Sequence, residues 1–214
     1  MGIAFDLDYW TKRYESDYPI DTGRVYPKYT DENGVEREEK SPYFETMSKT
    51  LVARGFLLKK EFVSIGRWKS HRQINNYEAN SEETVRRITS QVLKEESETR
   101  RIRTLTEGTL RGVKIPVASA ILTIVYPDEY CIIDYRAWRA LSWLQSGLKN
   151  QLTFNSYKEY SDFLDSLNDY MSLRGYLRFL KQLRLITAKH NRTPRQLEMA
   201  LWKFDQMKGM KPEK

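Results

Sequence analysis

One stretch constrains the fold of this chain more than any other: Leu110 to Leu141, which reads LRGVKIPVASAILTIVYPDEYCIIDYRAWRAL. Arg111-Gly112-Val113 reads as a glycine turn, and Pro116 stands at the first position of an apolar, small-residue helix running to Val125. Proline suits that place because the first amide of a helix has no intrahelical partner. Ala118, Ser119 and Ala120 let a second backbone approach closely. The unpaired amides at such a start point outward and favour an anion. Tyr126-Pro127 stops the helix, Tyr130-Cys131-Ile132-Ile133 runs extended, and Asp134 opens a further helix from Tyr135 to Leu144. The order is therefore hairpin, helix, and a carboxylate at a helix start.

In this order the stretch resembles the helix-hairpin-helix superfamily of DNA glycosylases, in particular its 8-oxoguanine and 3-methyladenine branches. The resemblance runs through Leu110, Gly112 and Val113, then Val117 and Ala118, and reaches Asp134, covering about a seventh of the chain. It implies an all-α, two-lobed fold with Asp134 as the catalytic carboxylate. It also implies that Arg111, Gly112, Val113 and Lys114 contact the DNA backbone. The second hairpin glycine of that family is Lys114 here, and the place of the Schiff-base lysine of bifunctional members is held by Pro116. The resemblance thus points to a monofunctional enzyme that hydrolyses a damaged or modified base from double-stranded DNA and leaves an abasic site. It implies no cofactor.

The alternative is a non-catalytic DNA-binding module that keeps the hairpin and uses Asp134 only as a cap. Asp is among the preferred N-cap residues, so pattern alone favours the cap. The two roles are compatible, since a helix start favours negative charge. Lys114 is read as a phosphate contact, with an exposed turn lysine or a displaced Schiff-base lysine as the competing readings.

A length of 214 residues with 40% hydrophobic content suits one helical domain over 1–214, built as two lobes, with the hairpin and catalytic core at about 81–150. The formal charge is +7, which favours a polyanionic partner. Its distribution is uneven. Residues 1–45 carry 11 acidic and 6 basic side chains, whereas 171–214 carry 11 basic and 3 acidic. The single cysteine, Cys131, excludes an internal disulfide and any four-cysteine metal or iron-sulfur site. His71 and His190 are far apart and lack neighbours at ligand spacing, so no metal is expected. The longest apolar run, Val117 to Tyr126, is well short of the ~20 residues that span a bilayer. A cytoplasmic monomer without membrane contact is the expectation.

Elsewhere, Phe5 to Tyr18 reads as a short amphipathic helix whose aromatics pack. Tyr26 to Ser41, with Asn33-Gly34, reads as a loop or small hairpin. Ser41-Pro42 opens a helix ending near Gly55, and Lys59 to Lys69 forms the next, with Phe62, Ile65 and Trp68 at helical spacing. Trp68 beside Lys69 and Arg72 is a candidate base pocket or DNA contact, stacking a base while the cations hold phosphate. A core tryptophan followed by solvated charges fits the same residues. Arg136 and Trp138 are candidates to line the cleft, Trp138 equally a core residue beside Leu141.

Asn80-Ser81-Glu82-Glu83 has the spacing of a capping box before a helix with Val85, Ile88 and Val92 on one face. Arg100, Arg101, Arg103 and Arg111 precede the hairpin as phosphate contacts or as a solvated face. Helical patterns follow at Tyr157 to Met171 and through Leu173, Tyr176, Leu177 and Leu180, with Arg174, Arg178 and Lys181 opposite as a basic stripe, a candidate DNA-backbone contact. Thr193-Pro194-Arg195-Gln196 starts the last helix, packed by Leu197, Ala200, Leu201 and Phe204.

Overall fold

The computed structural model describes residues 5–17, 28–30, 36–38, 44–149 and 171–207. These fall into two compact units, one formed by Met1–Ser16 with Cys131–Lys214, the other by Asp17–Tyr130. Secondary structure among the described residues is helical apart from one short antiparallel ribbon, β1 (Lys28–Thr30) and β2 (Glu36–Glu38), paired Tyr29 to Arg37. That ribbon answers to the small hairpin expected around 25–40. Its turn, Asn33-Gly34, and the expected cap at Ser41-Pro42 lie outside the described residues, as does all but the end of the helix expected at Tyr157 to Met171.

The Asp17–Tyr130 unit is built on the apolar helix of the opening stretch. It contains α2 (Phe44–Arg54), α3 (Lys59–Ser70), α4 (Ile74–Glu78), α5 (Glu82–Lys94), α6 (Glu98–Thr106) and α7 (Ile115–Val125). Every residue of α7 from Val117 to Val125 is buried, because α2, α3 and α6 all pack on it. Its two hydroxyls are satisfied internally, Ser119 donating to the Pro116 carbonyl at 2.8 Å and Thr123 to the Ser119 carbonyl at 2.7 Å. Helix α7 begins one residue earlier than its proline suggests: Lys114 is the N-cap and Pro116 the second helical residue, where an amide is equally dispensable. Gly55 ends α2 with φ +80°, the left-handed turn that glycine adopts without strain.

The other unit holds α1 (Leu7–Asp17), α8 (Tyr135–Lys149), α9 (Leu173–Thr187) and α10 (Pro194–Gln206). Helix α10 is its centre, packed by α8 and α9. Trp10 and Phe5 meet Phe204 edge-on at 5.6 and 5.5 Å, and Tyr14 meets Trp202 at 5.7 Å, so the aromatics of α1 are packing residues. The expected capping box at Thr193 and Gln196 is present. The expected apolar stripe on α10 is buried, and so are Arg195, Glu198, Lys203 and Asp205. Arg195 pairs with Glu198, while Asp205, with no exposed side-chain surface, accepts from Arg139 Nε at 2.6 Å and Nη2 at 2.7 Å. Arg136 adds a third contact to Asp205 at 3.3 Å. Buried charge survives only when paired in this way.

Candidate functional site

The hairpin turn joins α6 to α7 and is fastened by two residues from the α4–α5 junction. Gly112 takes φ +84°, which costs a residue with a Cβ about 1–2 kcal/mol. It also lies against the Tyr77 ring, where an added Cβ would stand 2.7 Å from a ring carbon. Gly66, in the middle of α3, meets the opposite part of the same ring, its virtual Cβ 2.6 Å away. Tyr77 is fully buried between these two glycines, with its hydroxyl donating to the Ser70 carbonyl at 3.4 Å. Burial pushes its phenol pKa up.

Asn80 is the second fastening. Its Nδ2 donates to the carbonyls of Asn76, Tyr77 and Arg111 at 2.9, 3.0 and 3.2 Å, and its Oδ1 accepts the Arg111 amide at 2.8 Å. The capping box expected from Asn80 to Glu83 is therefore corrected. Ser81 is the N-cap of α5, accepting from the Thr84 amide at 3.1 Å, which releases Asn80 to hold the turn. On another side Arg87 donates to Thr109 at 3.2 Å.

This fastening presents Arg111 and Lys114 to solvent while Val113 and Ile115 face the core. No hydrogen bond among the described residues is donated by the amides of Gly112, Lys114 or Ile115, Arg111-Gly112 form a hydrogen-bonded turn closed by the Val113 amide, and Pro116 has none to donate. A set of unspent donors at the start of an 11-residue helix is suited to a phosphate.

Of the cations ahead of the turn, Arg101 is not available to a ligand, and the expectation for it is corrected. Its guanidinium lies 4.6 Å from the Tyr126 ring centre and donates to the Glu95 carbonyl at 2.6 Å and the Tyr130 hydroxyl at 3.1 Å. It braces the end of α7. Arg100 and Arg103 remain exposed, with only long pairings to Glu95 and Glu107.

Trp68 and Lys69 are half-buried near the end of α3, and Arg72 is exposed on the single 3₁₀ turn His71–Gln73 that follows. A shallow cavity of about 470 Å³ on this unit is lined by Lys59, Lys60, Val63, Ser64, Arg67 and Glu82, and does not include Trp68.

Asp134 belongs to the other unit. It precedes α8, its Oδ1 accepting the Arg136 amide at 3.0 Å and its carbonyl the Trp138 amide at 2.9 Å. The residue is therefore the N-cap, and its side chain is half-buried. Arg136 is turned to Asp205 and the Trp202 ring, 5.5 Å from the ring centre. Trp138 is half-buried and tilted against Tyr135. A cavity of about 430 Å³ in this unit is floored by Leu141, Leu144, Ile186, Leu197 and Leu201. Asp134 does not line it. Leu141 lies two turns further along α8, about 10 Å at 1.5 Å per residue.

Sequence reasoning overlooked Asn80 as a clamp, the Gly66–Tyr77–Gly112 stack and the buried Asp205. Gly66 was the available signal, since a glycine inside a helical pattern marks a close approach by another group. Among the described residues no group of three or more His, Cys, Asp or Glu side chains is placed to hold a metal ion, and no helix is long and apolar enough to cross a membrane. No family model matches the chain, and neither a curated protein nor a solved structure does.

Proposed function

We propose that the chain is a monofunctional DNA N-glycosylase that removes a damaged or modified base from duplex DNA. The observation that carries the reading is the set of unspent amides at Gly112, Lys114 and Ile115, held in place by Asn80 and Tyr77 and flanked by the exposed cations Arg111 and Lys114. A DNA phosphate is the anion such a turn fits, and contacts of this kind position a duplex without reading its sequence.

Asp134 is the proposed catalytic carboxylate. As the C1′–N bond breaks, its electron pair leaves with the base and positive charge grows on C1′ and the ring oxygen. A fixed carboxylate stabilises that charge. Water then bonds to C1′, losing one proton to the carboxylate, and the departing base takes up a proton. The products are a free base and an abasic site. Pro116 offers no amine for a Schiff base, which supports hydrolysis without strand cleavage. Extrusion of the base costs a few kcal/mol and is cheapest for weakly paired bases.

One observation favours a second reading, a DNA-binding module without catalysis: Asp134 already serves as a cap to the Arg136 amide. The deciding experiment is an excision assay on duplex oligonucleotides, each with one damaged or modified base, developed with and without hot alkali. Alkali-dependent cleavage that disappears in Asp134→Asn is the expected result. Cleavage without alkali overturns the monofunctional assignment and implicates Lys114. Absence of excision across the panel, with salt-sensitive DNA binding equal in both proteins, leaves the binding module.

A further inference from the structure

The outward face of α9 carries Arg174, Arg178 and Lys181, all exposed and none with an ion pair, hydrogen bond or ring contact among the described residues. Helix α9 contains no Asp or Glu. The two acids that follow before residue 207, Glu198 and Asp205, are buried and bound to arginines inside the unit. Carboxylates are thus drawn inward here while cations are left outside. Like charges three and four residues apart on a helix repel one another, and nothing within the described residues relieves them.

We infer that this face of α9 is a phosphate-contacting surface for duplex DNA, an inference that rests on the proposed DNA substrate. A rise of 1.5 Å per residue spaces the three cations over about 10 Å along the helix. A single DNA strand offers a phosphate every ~3.4 Å of axial rise, so each cation has its own phosphate within reach. A membrane surface fits less well, because a helix that lies in an interface needs an apolar face to insert. Of the apolar residues of α9, Tyr176, Phe179, Leu180 and Leu183 are buried in the core and Leu173, Leu177 and Ile186 are half-buried, which leaves Leu185 exposed, too little for an inserting face.

The test compares three full-length proteins in anisotropy titrations on a short undamaged duplex across a range of salt. The first is wild type, the second Arg174→Gln with Arg178→Gln and Lys181→Gln. The third removes the same charge from cations that already have partners: Arg67→Gln, Arg86→Gln and Arg192→Gln. The α9 variant is expected to lower the slope of log K against log salt by roughly 2 to 3, at about 0.9 for each phosphate that is no longer neutralised. The charge-matched control is expected to keep the wild-type slope.

A slope retained by the α9 variant overturns the surface while leaving the glycosylase reading intact. Equal reductions in both variants overturn it too, since net charge then explains them. A wild-type slope near zero removes the DNA reading itself. Binding to phosphatidylserine vesicles that the α9 variant loses, with duplex binding unchanged, overturns the inference in favour of a membrane.

Discussion

Asn80 grips Arg111 at two points, its Oδ1 accepting the Arg111 amide at 2.8 Å and its Nδ2 donating to the Arg111 carbonyl at 3.2 Å. The same Nδ2 reaches the carbonyls of Asn76 and Tyr77. One amide side chain thereby ties the end of α4 to the hairpin turn. Asn80→Ala leaves these buried groups without partners and is expected to cost about 1–3 kcal/mol, read as a fall in the midpoint of urea unfolding. Asn80→Asp is expected to be worse, because it sets a carboxylate against three carbonyl oxygens. Wild-type stability in both variants would show that the grip on the turn matters little.

The Tyr77 ring makes glycine obligatory at two distant places, but for different reasons. Gly66→Ala meets only the ring, an overpacking of about 1–3 kcal/mol. Gly112→Ala meets the ring and a positive φ together, adding about 1–2 kcal/mol for the left-handed backbone. Gly112→Ala should therefore be the more damaging of the two in thermal or urea unfolding. Since both push on one ring, the double variant should cost less than the sum. The reverse order would mean that the turn relaxes more readily than α3 does.

Much of the Asp17–Tyr130 unit was legible because its signals are local. A ten-residue apolar run behind a proline announces α7, and a glycine after Arg111 announces the turn. The role of Asn80 was not legible, because Asn80 and Ser81 are both good caps and propensity does not choose between neighbours. The Tyr77 stack joins residues far apart in sequence, and no periodicity encodes it. The burial of charge on α10 was not legible for a related reason. Charged residues are usually solvated, and Asp205 is buried only because Arg139, 66 residues away, reaches it. The position of Asp134 before a helix was legible, whereas its chemistry rests on resemblance, since a cap and a catalytic carboxylate look alike in a pattern.

Asp205 makes a graded prediction about α8. Arg139, 15% exposed, holds both carboxylate oxygens, whereas Arg136, 42% exposed, touches one. Arg139→Ala strands a buried charge and is expected to cost about 3–5 kcal/mol. Arg136→Ala is expected to cost less than about 1 kcal/mol. Urea unfolding of both variants checks the ranking, and similar losses would show that the two arginines share the carboxylate equally.

Cys131 is fully buried, and burial pushes its thiol pKa well above the ordinary 9.0, with Glu198 adding to the shift. The native thiol should resist a disulfide reagent that labels it promptly in urea. Folding opposes the thiolate, so this contribution to stability is complete below pH 9.0 and declines as pH rises beyond that value. Cys131→Ala should flatten the alkaline limb of the stability profile where it begins. The raised phenol of Tyr77 accounts for a later decline, above its ordinary 10.0. Prompt labelling of the native protein would mean that the Cys131 segment opens without global unfolding.

Two substitutions at Asp134 separate its structural role from its proposed chemical one. Asparagine caps a helix about as well as aspartate, and its Oδ1 can still accept the Arg136 amide, the bond seen at 3.0 Å. Asp134→Asn should therefore unfold within a few tenths of a kcal/mol of wild type, yet lose about a hundred- to a thousandfold in single-turnover excision, the usual loss for a preorganised charge-stabilising group. Asp134→Ala removes the cap as well and should cost a further ~1 kcal/mol of stability. If excision falls only in the alanine variant, and in proportion to its lost stability, the carboxylate is a cap and nothing more. If excision collapses in both while only the alanine variant is destabilised, negative charge at position 134 is what the reaction requires.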